Sequence, residues 1–147
     1  MALKFSIDTN IFLNVKNKED PYYQYSKRIL QLIDDGEVHG VVSAIVVAEL
    51  CAGYHEFHEL TEKDELLTQL RTNPNYEIVK LDLDVADEAG RIRSATRLRL
   101  PDAILVASSL IANAPILVTH DDQLTKAQPL IRVLAAKQAL KELTKIK

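Results

Sequence analysis

Short apolar runs at residues 5–7, 41–43, 76–81, 116–119 and 130–133 alternate along the chain with segments of helical spacing. No other property of the sequence narrows the fold as much. Short strands that alternate with helices imply a parallel sheet covered on both faces, because the crossovers lay helices over it.

The segments between the strands support this. Residues 22–35 carry Tyr25, Ile29, Leu32 and Ile33 at helical spacing, with Pro21 near the start and Gly36 just past the end. Further helices are predicted over 44–54, 84–98, 101–112 and 135–144, with short turns at 11–15 and 124–127. Pro101 stands at the first helical position of its segment. Residues 54–70 are predicted to form an arm of two helices or one bent helix, with Thr61-Glu62-Lys63-Asp64 resembling a capping box. The absence of repeats or a composition break predicts one domain over 1–147.

The chain has 147 residues, enough to bury a core without disulfides or metal staples. Hydrophobic residues at 47% and charged residues at 27% match a soluble globular protein rather than a fibrous or low-complexity one. A net charge of −3 argues against a wholly basic nucleic-acid binder, although a group of functional acids would itself lower the sum. The single cysteine, Cys51, lies in an apolar segment and reads as a buried, inert thiol in a reducing compartment. Asp8 interrupts the first apolar stretch, so no secretory signal is read. The uncharged stretch 103–120 contains Ser108, Ser109, Asn113 and Pro115, so no membrane span is read either. The cytoplasm is the expected location.

Ligands of open parallel sheets bind beyond the carboxyl ends of the strands, so the reactive side chains delivered there carry the functional argument. Asp8 follows the first strand and Asp121 the fourth. Glu49 is the only charged residue between Val41 and Tyr54, and helical side chains lean back toward the N-terminus, over the strand ends. Asp102 opens the helix at 101–112 ahead of a long apolar run. Each acid also has a purely structural reading. Asp8 can cap the turn at 11–15, Asp102 can complement a helix dipole, and Asp121 or Asp122 can cap the turn before Leu124. Glu49 is harder to explain away, since an isolated carboxylate within an apolar segment is costly unless paired or coordinated. Two carboxylates about 5 Å apart repel by roughly 3 kcal/mol at an effective dielectric near 20. A divalent metal is the simplest neutraliser, and hard oxygen donors favour Mg²⁺ or Mn²⁺ over Zn²⁺.

The series Ile7-Asp8-Thr9-Asn10, Ser43-Ala44-Ile45-Val46-Val47-Ala48-Glu49-Leu50, Pro101-Asp102-Ala103 and Val118-Thr119-His120-Asp121 resembles the PIN-domain ribonucleases, especially the VapC-type toxins of toxin–antitoxin pairs. The likeness covers nearly the whole chain in order and spacing. It implies an α/β fold, a three-layer α/β/α sandwich with a parallel five-stranded sheet of order 3-2-1-4-5. It also implies Mg²⁺- or Mn²⁺-dependent hydrolysis of RNA by in-line attack of water, leaving 5′-phosphate and 3′-hydroxyl ends. Carried over by motif, Asp8, Glu49, Asp102 and Asp121 would be the catalytic, metal-binding acids. Asn10 and Thr119 would orient ligands or water around them. Asp121 is chosen over Asp122 on the family's Thr-x-Asp pattern alone. A cognate antitoxin and a homodimer are the partners the resemblance implies.

Other features divide between solvation and function. Arg93, Arg97 and Arg99 approach the Asp102 helix and read equally as a solvated face and as RNA phosphate contacts. Lys137, Lys141 and Lys145 read as a solvated stripe. Tyr22, Tyr23 and Tyr25 are expected to pack their helix, since 5% aromatic content makes a stacking platform unexpected. His55-Glu56-Phe57-His58-Glu59 lacks the spacing of a zinc-protease motif. The apolar positions of the arm at 54–70 suit its own packing, a dimer or a partner helix. The competing reading is a non-catalytic PIN-like RNA-binding or scaffold domain. A phosphatase or receiver is disfavoured because the second acid such sites place near Asp8 is missing.

Overall fold

The structure, a computed structural model, describes residues 3–146. The elements follow one another as β1 (Leu3–Ile7), α1 (Thr9–Lys16), α2 (Tyr23–Asp34), β2 (Val38–Ser43), α3 (Ala44–Glu56), α4 (Leu60–Thr72), β3 (Tyr76–Val79), α5 (Leu83–Thr96), α6 (Leu100–Ile111), β4 (Ile116–Val118), a 3-10 turn (Asp122–Ala127), β5 (Arg132–Leu134) and α7 (Ala136–Ile146). The five strands form one parallel sheet in the order β3-β2-β1-β4-β5, flanked by helices, as the alternating pattern requires.

β1 is the central strand, and Phe5, Ser6 and Ile7 are fully buried within it. Its register pairs Ser6 with Val41 on one side and Ile7 with Val118 on the other. The chain steps outward in opposite directions from β1 and β4, so these two strands flank the topological switch point. The crevice beyond their carboxyl ends is where such sheets bind ligands.

The second strand starts at Val38 rather than at residue 41. Gly40, just ahead of the apolar run at 41–43, lies within the strand because its missing side chain makes room. A Cβ there would stand 2.8 Å from Ile33 Cδ1 and 3.0 Å from the Tyr76 ring. The fifth strand is shifted to Arg132–Leu134, and the third is trimmed to Tyr76–Val79. The arm resolves into two helices, broken at Phe57-His58-Glu59 where His58 takes a left-handed φ of 55°. Phe57 and Leu60 are exposed at that corner. Cys51 is free and half-buried rather than buried.

α6 is enclosed from Asp102 through Ser109. Two adjacent serines fasten it to neighbouring strands. The Ser108 and Ser43 hydroxyls are 2.8 Å apart, and those of Ser109 and Ser6 2.6 Å. These buried hydroxyls are therefore satisfied, as burial demands. Among the described residues, no helix is long and apolar enough to cross a membrane.

Candidate functional site at the switch point

Asp8 leaves β1 at the switch point, its N–H bonded to Val118 O at 3.1 Å. The residue is 7% exposed, and both carboxylate oxygens are held. Oδ1 accepts the Thr9 N–H at 2.7 Å, while Oδ2 accepts the Thr119 hydroxyl at 2.7 Å and the Asn10 Nδ2–H at 3.0 Å. Asp8 is thus also the N-cap of α1, so the structural reading of this residue and its place in the crevice coexist. Burial pushes its pKa up from 3.8 to about 6, and the nearby carboxylates of Glu49 and Asp102 add to the rise against the two hydrogen bonds that lower it.

Asn10 and Thr119, expected as supporting polar residues, bind Asp8 directly. Thr119 Oγ1 gives its proton to Asp8 and accepts the Asp121 N–H at 3.0 Å and the Asn10 amide at 3.2 Å. Asn10 Oδ1 in turn accepts the His120 N–H at 3.0 Å. The loop after β4 is thereby tied to the end of β1 by side chains from both.

Asp121 is half-buried and caps the 3-10 turn through the Gln123 N–H at 2.9 Å, whereas Asp122 is exposed. Asp102 is 8% exposed in the first turn of α6. Its Oδ2 accepts from Arg99 Nε at 3.2 Å. The Arg99 guanidinium is held above its ordinary pKa, first by that bond and the Asp102 charge, then by Asp121 and Glu49. All four expected acids therefore act electrostatically on one crevice. Asp8 feels Glu49 and Asp102, and Arg99 feels Asp102, Asp121 and Glu49.

One expectation needs correction. Glu49 is exposed, not isolated in an apolar interior, because α3 turns Ala48 and Glu49 to solvent. Its Oε1 accepts the Thr9 hydroxyl at 2.8 Å. The burial penalty invoked for it in sequence does not operate. The crevice also holds a protein cation: Arg99, expected as an RNA contact, already pairs with Asp102. Arg93 and Arg97 are exposed near the end of α5, with no ion-pair partner among the described residues.

Tyr22 also departs from expectation. It is 41% exposed rather than packed into its helix, and its ring stacks on His120 with centroids 4.1 Å apart. Thr9 was missed altogether. Its hydroxyl bridges toward Glu49, a signal readable only from the two elements meeting in space.

Among the described residues, no three His, Cys, Asp or Glu side chains converge closely enough to enclose a metal as direct ligands. The donor chemistry nevertheless fits a hydrated Mg²⁺ or Mn²⁺, which takes one or two carboxylates and keeps several waters. A buried carboxylate whose pKa is raised, with two more acids adding to its potential, is an arrangement that a hard cation relieves.

A family model described as the PIN domain matches residues 6–128. Among solved structures, the chain is similar to one from a toxin–antitoxin complex of Klebsiella pneumoniae, at 20% identity and TM-score 0.68 over 89% of this chain and 96% of that one. It is equally similar in fold to a chain of VapBC2 from Rickettsia felis bound to a promoter DNA fragment, at 20% identity, TM-score 0.68 and coverages of 90% and 98%. A chain of FitAcB from Neisseria gonorrhoeae shares 22% identity at TM-score 0.67, covered over 90% and 98%. No curated protein matches the sequence.

Proposed function

From the premise that this chain belongs to the PIN-domain family, we propose that it is a metal-dependent ribonuclease, the toxin of a toxin–antitoxin pair, hydrolysing RNA phosphodiester bonds at the Asp8 crevice. The observation that carries this reading is the shared potential of Asp8, Glu49 and Asp102 at the switch point of the sheet.

Of Asp8, Glu49, Asp102 and Asp121, one or two would bind Mg²⁺ or Mn²⁺ directly and the others through its water shell. When bound, the ion would polarise the phosphodiester and make a water acidic enough to attack near neutral pH. Everything else is work for the chain's own groups. Thr119 and Asn10 fix the Asp8 carboxylate so that it cannot swing, which keeps the donor oxygens in place before substrate arrives. Thr119 also accepts the Asp121 N–H, so one hydroxyl sets two acids relative to each other. Arg99 at the rim, with Arg93 and Arg97 beyond it, would draw the phosphate backbone toward an otherwise acidic crevice. No side-chain nucleophile is needed.

Cytoplasmic location, an antitoxin and a homodimer belong to the same reading. The likeness to chains of toxin–antitoxin complexes supports the antitoxin, and the exposed Phe57 and Leu60 at the α3–α4 corner support a protein-binding face. Incubation with mixed structured RNAs in Mg²⁺ or Mn²⁺, with EDTA and Asp8→Asn controls, tests the activity. Cleavage that needs metal and vanishes in Asp8→Asn is expected. RNA binding without hydrolysis in either metal would favour a non-catalytic RNA-binding domain.

A further inference from the structure

Tyr22 and His120 form a stacked pair that the acids do not account for. Their ring centroids are 4.1 Å apart and their planes 18° from parallel. His120 is fastened at both nitrogens. Nδ1 lies 2.8 Å from Asn14 Oδ1, and Nε2 accepts the Ala136 N–H at 3.2 Å. Asn14 Oδ1 also accepts the Ser26 hydroxyl at 2.9 Å while its Nδ2 donates to Glu19, so Nδ1 is the nitrogen that carries hydrogen. The imidazole is a fixed backing plate for one face of Tyr22.

His120 covers one face of the tyrosine ring, and Tyr22 as a residue is still 41% exposed. Tyr22 and Asp121 line the same cavity of about 380 Å³, together with Thr119, His120, Thr125 and Gln138. The tyrosine and an acid of the crevice thus border one space. A rigid, exposed aromatic ring next to an acid of the crevice is a platform on which a base can stack.

We propose that Tyr22 is a nucleobase subsite, on whose exposed ring one base of single-stranded RNA stacks while the adjoining phosphodiester lies at the Asp8 crevice. The inference rests on the ribonuclease reading above. Stacking tolerates every base because each has a π-face, so Tyr22 contributes affinity and register rather than strict sequence choice.

The test is fluorescence anisotropy with a labelled mixed-sequence single-stranded RNA and an abasic oligomer of the same length. Binding is measured in EDTA, and again in Mg²⁺ with every protein carrying Asp8→Asn. Tyr22→Ala and Tyr22→Leu are each expected to weaken RNA binding about 5- to 30-fold, Tyr22→Phe to retain it, and the abasic oligomer to bind all of them alike. Tyr22→Leu keeps an apolar contact with His120, so it carries the result if the alanine variant fails to fold. Unchanged RNA affinity in Tyr22→Leu, or an equal loss on the abasic oligomer, would overturn the subsite while leaving wild-type RNA cleavage intact. A wild-type protein that neither binds nor cleaves RNA overturns the ribonuclease reading and the subsite with it.

Discussion

Thr119 Oγ1 lies 2.7 Å from Asp8 Oδ2, a hydrogen bond that joins the loop after β4 to the end of β1 across 111 positions of sequence. Asp8 is buried, so this donor lowers the cost of its charge. Thr119→Val keeps the shape and removes the donor. It is expected to destabilise the metal-free protein by about 1–3 kcal/mol near neutral pH and to weaken Mn²⁺ binding, with Thr119→Ser recovering most of both. Urea unfolding and Mn²⁺ titration measure the two effects.

The pH dependence of stability should carry the signature of Asp8. Its pKa is about 6 in the folded chain and 3.8 ordinarily, so between these values the native state binds a proton that the unfolded chain releases. Stability is therefore lost as pH rises through that window, and above it the ionised carboxylate costs about 3 kcal/mol relative to acid conditions. Asp8→Asn abolishes this contribution. In EDTA the variant is expected to be more stable than wild type near neutral pH by about 1–2 kcal/mol, the shortfall reflecting weaker bonds from Thr9 and Thr119. Urea melts of both proteins across that range decide it, and identical pH profiles would refute the assignment.

Metal should reverse that order. Mn²⁺ at a hundred times its dissociation constant is expected to stabilise the wild type by about 2.7 kcal/mol and Asp8→Asn far less. Thermal unfolding with and without Mn²⁺ reads this directly, independently of any RNA.

Arg99 should affect metal and RNA in opposite senses. Its guanidinium pairs with Asp102 and feels Asp121 and Glu49, so Arg99→Gln removes a positive charge that competes with a cation for the same acids. Mn²⁺ is expected to bind several-fold tighter. RNA is expected to bind more weakly, with the slope of log affinity against log salt reduced by about 0.7 for the lost phosphate contact. Isothermal titration with metal and anisotropy with RNA at several salt concentrations separate the two.

Gly40 gives a test of the scaffold alone. A methyl group there would stand 2.8 Å from Ile33 Cδ1 and 3.0 Å from the Tyr76 ring, and Gly40→Ala is expected to cost about 1–3 kcal/mol. Adding Ile33→Val, which removes the closer atom, should restore part of it in a double-mutant comparison by urea unfolding.

Much of the crevice was legible because its acids interrupt apolar runs at strand ends and at the start of a helix. Asp8, Asp102 and Asp121 lie where that pattern puts them. Glu49 was singled out on a burial argument that does not hold. The segment around it is apolar in composition, yet exposure depends on which side of α3 meets the sheet, and sequence composition does not fix that side. The start of β2 was not legible, because a glycine beside an apolar run marks either a break or a close approach, and only the positions of Ile33 and Tyr76 decide between them. The Tyr22–His120 stack joins residues 98 positions apart. No periodicity within either segment encodes such a contact.

The paired serines of α6 bear on Asp102 in a way that apolar packing does not. A helix enclosed on every side by hydrocarbon has little to distinguish one rotation about its axis from another. Ser108 and Ser109 point about 100° apart around that axis, and each finds a hydroxyl on a different neighbouring strand, Ser43 on β2 and Ser6 on β1. Two such bonds admit one angular setting of the helix. The direction in which Asp102 enters the crevice is thus fixed about two turns away, by four small hydroxyl groups that never touch it.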